Sequence, residues 1–258
     1  MTAPWYRVVG NEDAIFARAA RLTMPVLLKG PTGCGKTRFV RHMAATLERP
    51  LITVACQEDL SAADLTGRYL LKGGDTVWQD GPVTRAVREG AILYLDEVVE
   101  ARSDVLTLLH PLTDERRMLT VERRSEEIIA ASGFQVVISY NPGYQAAARA
   151  LKESTRQRFA AISFDYPGPD IEAEIVAHEA GCSSSVADQL VALGRATRTL
   201  RNHGLREGAS TRLLVYAGRM VVDGSDLTEA CMATLVHSLT DDPELVRALS
   251  DLISTKIG

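Results

Sequence analysis

Up to about Asp165, short apolar runs alternate with stretches of helical periodicity, the pattern of a parallel sheet covered by helices. The runs predict strands at Val26–Lys29, Leu51–Ala55, Ala91–Asp96, Gln135–Tyr140 and Ala160–Phe164. The middle three are almost continuously apolar, which predicts burial on both faces. Pro167-Gly168-Pro169 then breaks the chain, and no strand-like run follows. Helical spacing instead predicts Ile171–Ala180, Val186–Asn202, Thr211–Val222, Leu227–Ser238 and Pro243–Ile257. Ser185, Ser210, Asp226 and Asp242 stand at N-cap positions, with Gly181, Gly204 and Gly224 near helix ends. The expected architecture is an α/β domain over residues 1–166 and a small all-helical domain over 167–258.

Two segments of the first domain alternate in another way. Arg68–Gln79 carries aromatic and β-branched residues around Gly73-Gly74-Asp75, a hairpin signal. Met118–Val121 and Glu127–Ala131 flank a charged turn and predict a second hairpin, so hairpins are expected near 68–80 and 117–132.

Composition changes this picture little. The 258 residues are 46% hydrophobic and 24% charged, ordinary values that exclude disordered and collagen-like classes. No apolar run approaches the roughly 20 residues of a membrane-spanning helix. The first ten residues lack a basic segment followed by an apolar one, so cytoplasm is the expected location. The four cysteines (Cys34, Cys56, Cys182, Cys231) are scattered and read as reduced thiols, and neither they nor the five histidines show zinc-site spacing. The net charge of −4 argues against nucleic acid as a partner, because Arg116-Arg117 and Arg123-Arg124 both have acids beside them.

The strongest chemical signal is Gly30-Pro-Thr-Gly-Cys-Gly-Lys-Thr37, which fits GxxxxGK[ST] in full between a strand and a helical stretch, Arg38–Leu47. Glycines 30, 33 and 35 let backbone N–H groups turn inward around an anion, and the following helix adds its positive end. Lys36 can reach the β- and γ-phosphates of a nucleotide, and the Thr37 hydroxyl can ligate Mg²⁺. The strand Ile92-Leu-Tyr-Leu-Asp96-Glu97 ends in two acids. Behind a phosphate loop, Asp96 suits the metal and its waters, and Glu97 suits polarisation of an attacking water. These residues predict an ATPase using ATP and Mg²⁺.

The two motifs resemble the Walker A and Walker B motifs of AAA+ ATPases, and further features match in order. Val8-Val9-Gly10 with Asn11 resembles the adenine-contacting segment, so the resemblance assigns nucleotide binding to Val9, Gly10, Gly30, Pro31, Thr32, Gly33, Cys34, Gly35, Lys36, Thr37 and Arg38. Asn141-Pro142, after the strand Val136–Tyr140, resembles sensor 1. Ser154-Thr-Arg156-Gln-Arg158-Phe159 resembles the arginine-finger segment, with Arg158 at the finger position and Arg156 as an auxiliary contact. Ala209-Ser-Thr-Arg212 resembles sensor 2. A guanidinium meets two γ-oxygens at once, which is why phosphoryl transfer wants arginines there.

Within AAA+ the chain is similar to the MoxR group and, inside it, the CbbQ/NorQ family, over essentially all its length. The most specific stretches are Val121-Glu-Arg-Arg-Ser-Glu-Glu127, Ser139-Tyr-Asn-Pro-Gly-Tyr-Gln145 and Ser154–Phe159. The resemblance implies a parallel-sheet P-loop core with a helical lid, a homo-oligomer in the form of a hexameric ring, and a CbbO-like partner with a von Willebrand factor A domain. It casts the 68–80 hairpin as the family's projecting helix-2 insert and the 117–132 hairpin as the one before sensor 1. It brings two clients, inhibited Rubisco and nitric oxide reductase, and the chain looks closer to the Rubisco-associated members. A nucleic-acid motor on the same scaffold is the competing class, and the acidic charge balance weighs against it.

Overall fold

The computed structural model describes residues 3–142, 151–200 and 204–257. The chain divides into two compact units, Met1–Gly30 with Lys36–Phe164, and Pro31–Gly35 with Asp165–Gly258.

The first unit is built on a five-stranded sheet. In chain order its strands are β1 (Val26–Lys29), β2 (Leu51–Ala55), β3 (Gly67–Lys72), β4 (Asp75–Asp80), β5 (Ile92–Asp96), β6 (Met118–Val121), β7 (Glu126–Ile129), β8 (Gln135–Tyr140) and β9 (Ala160–Ser163). Five of them form one parallel sheet in the order β2-β5-β8-β1-β9. The helices are α1 (Glu12–Arg21), α2 (Lys36–Thr46), α3 (Ala62–Thr66), α4 (Pro82–Glu89), α5 (Ser103–Leu109) and α6 (Glu153–Arg156). Alternate side chains of the sheet enter opposite cores. Val26, Leu28, Ile92, Tyr94 and Val137 pack with Phe16 of α1 and with Phe39, Val40 and Met43 of α2. Leu27, Leu93, Leu95, Val136 and Ile138 pack with Val83 and Val87 of α4 and Val105 and Leu109 of α5.

Double-sided burial holds for β5 and β8 but fails for β2, which is half-buried to exposed throughout. Leu51–Ala55 pairs only with β5 and forms a sheet edge. Ile52 and Val54 pack on the α4 side and Leu51 on the α2 side, each only partly buried. β1, whose Val26, Leu27 and Leu28 are all buried, has the double-sided burial that was expected of β2.

The two hairpins lie outside this sheet as separate ribbons, β3-β4 and β6-β7. Gly73 and Gly74 turn the first with φ of 63° and 95°, a left-handed pair that matches strand twist. Tyr69 faces Trp78 across it with ring centroids 5.0 Å apart. The Arg124 guanidinium lies 5.7 Å over Trp78, and the Tyr69 hydroxyl donates to the carbonyl of Arg123, so the two ribbons touch.

The second unit carries α7 (Pro169–Ala180), α8 (Ser184–Thr199), α9 (Thr211–Val222), α10 (Leu227–Cys231) and α11 (Pro243–Ile257) around a core that includes Val176, Leu190, Leu214 and Leu235. The cap of α8 is Ser183, which accepts the N–H of Val186, in place of the expected Ser185. The expected helix Leu227–Ser238 is α10 followed by a π-helical turn over Met232–Val236. The final residues predicted for α8, 201–202, fall outside the described residues.

Candidate active site

The phosphate loop begins where β1 ends. At Gly30 a Cβ would stand 2.4 Å from the carbonyl oxygen of Phe164, so this turn admits only glycine. Gly33 and Gly35 take φ of 67° and 103°, the left-handed conformations that swing successive N–H groups inward. Lys36 opens α2, is buried, and its ammonium donates to the Gly30 carbonyl at 2.7 Å. Pro31, Thr32 and Cys34 are half-buried, and Arg38 is exposed with its guanidinium on the carbonyl of Trp5.

Next to Lys36 in α2, the Thr37 hydroxyl donates to Asp96 Oδ2 at 2.9 Å. Asp96 Oδ1 accepts from the Tyr94 phenol at 2.6 Å and from the Ser139 hydroxyl at 2.5 Å. Glu97 follows with φ 56° and ψ 47°, exposed, and its N–H donates to Ser139 Oγ at 3.1 Å. Asn141 directly follows β8 and is half-buried. The strand ends thus bring Lys36, Thr37, Asp96, Glu97 and Asn141 to the carboxyl edge of the parallel sheet, where ligands of open α/β sheets bind. Burial and the charge of Asp96 push the Tyr94 phenol far above its ordinary value. Burial, with Asp96 and Glu97 adding to it, pushes the Cys56 thiol up to about 12, so it stays protonated.

Ahead of α1, Val9 and Gly10 give their N–H groups to the Glu12 carboxylate, both at 2.8 Å, and the Tyr6 hydroxyl adds a third bond. Arg156 ends α6 and is exposed. Arg158 lies beyond it and pairs with Asp114 Oδ2 at 3.3 Å. Arg116 grips the same carboxylate more closely, and the two arginines hold Asp114 at about 2.

Within the second unit, the loop residues Pro31–Gly35 meet the start of α9. A Cβ at Gly33 would lie 2.6 Å from that of Ser210 and 3.4 Å from that of Arg212. The carbonyl of Thr32 accepts from the Tyr166 hydroxyl at 3.0 Å. Arg212 itself is exposed on the first turn of α9, where Ser210 caps the helix.

Sequence reasoning passed over Tyr94, Ser139, Glu12 and Tyr166. Tyr94 and Ser139 had a usable signal, because each stands two residues before a candidate, Asp96 and Asn141, on the same side of its strand. Tyr144 and Gln145, in one of the stretches specific to the resemblance, lie outside the described residues.

Two family models match. The AAA domain (dynein-related subfamily) covers residues 25–159, and the CbbQ/NirQ/NorQ C-terminal family covers 172–256. Protein NorQ of Paracoccus denitrificans is 59% identical over 256 residues, 99% of this chain and 95% of its own length. The denitrification regulatory protein NirQ of Pseudomonas aeruginosa is 55% identical, with 99% and 98% covered. Protein CbbQ of Hydrogenophilus thermoluteolus is also 55% identical, with 95% and 92% covered. Among solved structures, a point mutant of Thermotoga maritima RuvB shares the fold at 16% identity, with a TM-score of 0.57 over 95% of this chain and 70% of that one. Among the described residues no helix is long and apolar enough to cross a membrane. A nucleotide-binding loop, two acids at a strand end and these two matches agree: the chain is an AAA+ ATPase and belongs to the CbbQ/NirQ/NorQ family.

Proposed function

We propose that this ATPase works as a ring, with sites shared between neighbouring subunits, and spends ATP on remodelling a client protein. The observation that carries the hydrolytic part is the bond from the Thr37 hydroxyl to Asp96, with Glu97 next in the chain. A hydroxyl and a carboxylate form a hard-oxygen donor set, which fits Mg²⁺. When bound there, Mg²⁺ supplies charge neutralisation on the phosphates. The loop N–H groups and Lys36 bind the phosphates, Val9 and Gly10 flank the base, and Arg38 borders the loop. Glu97 orients and polarises the attacking water, and Asn141 stands by the γ-phosphate. Arg158 enters the neighbour's site, with Arg156 beside it in the interface, and Arg212 ties hydrolysis to the helical domain, residues 167–258. A hexamer and a partner with a von Willebrand factor A domain complete the assembly, which the family resemblance supports.

For the client, relatives named NorQ at 59% identity, NirQ at 55% and CbbQ at 55% leave both Rubisco and nitric oxide reductase standing. We take nitric oxide reductase as the first reading to test, on the relative named for denitrification, and keep Rubisco as the second. The test produces nitric oxide reductase with and without this chain and its partner, and measures nitric oxide reduction. In parallel, the purified pair and ATP are added to sugar-phosphate-inhibited Rubisco. Activation of the reductase and no recovery of carboxylation is expected. The reverse overturns the client assignment, and neither response from an active ATPase overturns remodelling of both.

A further inference from the structure

Asp96 and Glu97 are held by two hydroxyls that the binding and hydrolytic roles above leave unassigned. Tyr94 and Ser139 are both completely buried, and both hydroxyls converge on Asp96 Oδ1. Thr37 takes the other oxygen, so donors on both sides fix the plane of the carboxylate. Ser139 has a second bond. Its oxygen accepts the N–H of Glu97, a non-glycine residue in the left-handed region that persists only where its surroundings impose it. Tyr94 comes from the same strand as Asp96, and Ser139 comes from the neighbouring strand β8, so the two acids are fastened across the sheet at its carboxyl edge.

We propose that Tyr94 and Ser139 are positioning residues that fix the Asp96 carboxylate and the Glu97 backbone as one unit. Tyr94 orients the carboxylate, and its hydroxyl also reaches the hydroxyls of Ser139 at 3.2 Å and Thr37 at 3.4 Å, while the Glu97 N–H goes to Ser139. Ser139 orients the carboxylate and also sets the direction in which the Glu97 side chain leaves the strand. The two are therefore expected to differ in what they control. This rests on the reading of Asp96 as the metal-side acid and Glu97 as the water-side acid.

The test compares Tyr94→Phe, which keeps the ring in the core, with Ser139→Ala, which keeps its volume to within one oxygen. Two quantities are read on the full-length protein: affinity for a fluorescent ADP analogue as Mg²⁺ is titrated from zero, and kcat against KM for ATP. Binding without Mg²⁺ should match the parent in both variants, which checks that loop and core are intact. Both should need more Mg²⁺ to tighten binding, by roughly tenfold to a hundredfold, the usual effect of losing an outer-shell partner. Ser139→Ala should also lower kcat by a similar factor with KM nearly constant. The double variant should fall short of the product of the singles, because both hydroxyls serve one oxygen. Mg²⁺ titrations and kcat within about twofold of the parent, in a protein that Glu97→Gln still silences, would overturn the proposal alone. Undiminished hydrolysis by Glu97→Gln or Asp96→Asn would overturn the reading of the acids, and the proposal with it.

Discussion

Asn11 occupies the N-cap of α1 without using its side chain, and Glu12 caps the segment from inside the helix. Burial alone would raise its carboxyl. The N–H groups of Val9 and Gly10, its own N–H and the Tyr6 phenol outweigh burial and leave it below the ordinary glutamate value. A depressed folded value stabilises above the unfolded carboxyl's range, and that stabilisation is lost as pH falls through the folded value. Glu12→Ala should cost about 1.5–3 kcal/mol at neutral pH, the range for hydrogen bonds to a charged group. Its stability should also decline less steeply on acidification than the parent's. Urea unfolding at several pH values measures both, and parallel pH profiles would count against this account. Residues that act through such bonds were hidden in the sequence, because Glu12 reads there as an ordinary acid in the first turn of a helix.

At the scale of elements, α7, α8 and the start of α9 are joined by one buried cluster. Glu172, fully buried on α7, meets the Arg198 guanidinium of α8 through two bonds of 2.7 Å and accepts the Thr211 hydroxyl of α9. Arg198 also donates to the carbonyl of Ala209 and stacks 3.7 Å over the Tyr166 ring. Removing one partner strands the other charge, so Glu172→Ala should cost about 3–5 kcal/mol, while Glu172→Leu with Arg198→Met should recover much of it. Denaturant unfolding decides, and a loss under about 1 kcal/mol for the single change would refute the cluster's role. Element positions were largely legible: β1, β2 and β8 match their apolar runs residue for residue. What alternation cannot give is neighbour order. Leu51–Ala55 is as apolar as a central strand, and only pairing with distant residues makes it an edge. The π-turn at Met232–Val236 was equally hidden, since apolar spacing there still fits an α-helix. Of the site, the loop and the acids were legible because their chemistry needs fixed residue types at short spacing. Partnerships such as Arg198 with Glu172 span 26 residues and follow from tertiary packing.

For the whole molecule, the question is where Arg158 acts. In the single chain it pairs with Asp114, at a partly exposed site where such a pair is weak and easily exchanged. If Arg158 serves a neighbour, Arg158→Ala should lower hydrolysis by roughly 10³–10⁵. Mixing it with Glu97→Gln should restore activity, because an intact acid then faces an intact finger at some interfaces. Activity should also rise with protein concentration. Inactive mixtures, or turnover per subunit independent of concentration and mixing, would place the arginine outside a shared site.

The strand order carries a consequence for synthesis. β1 is made first, yet both of its neighbours, β8 and β9, are encoded more than a hundred residues later. The ribosome must therefore release most of the α/β unit before the centre of the sheet can close. Until then Val26–Lys29, the strand that carries the phosphate loop, emerges with both edges unpaired. Such a nascent chain is open to mispairing and to the chaperones that guard against it. An ATPase with this strand order is thus one of the slower kinds of chain to assemble.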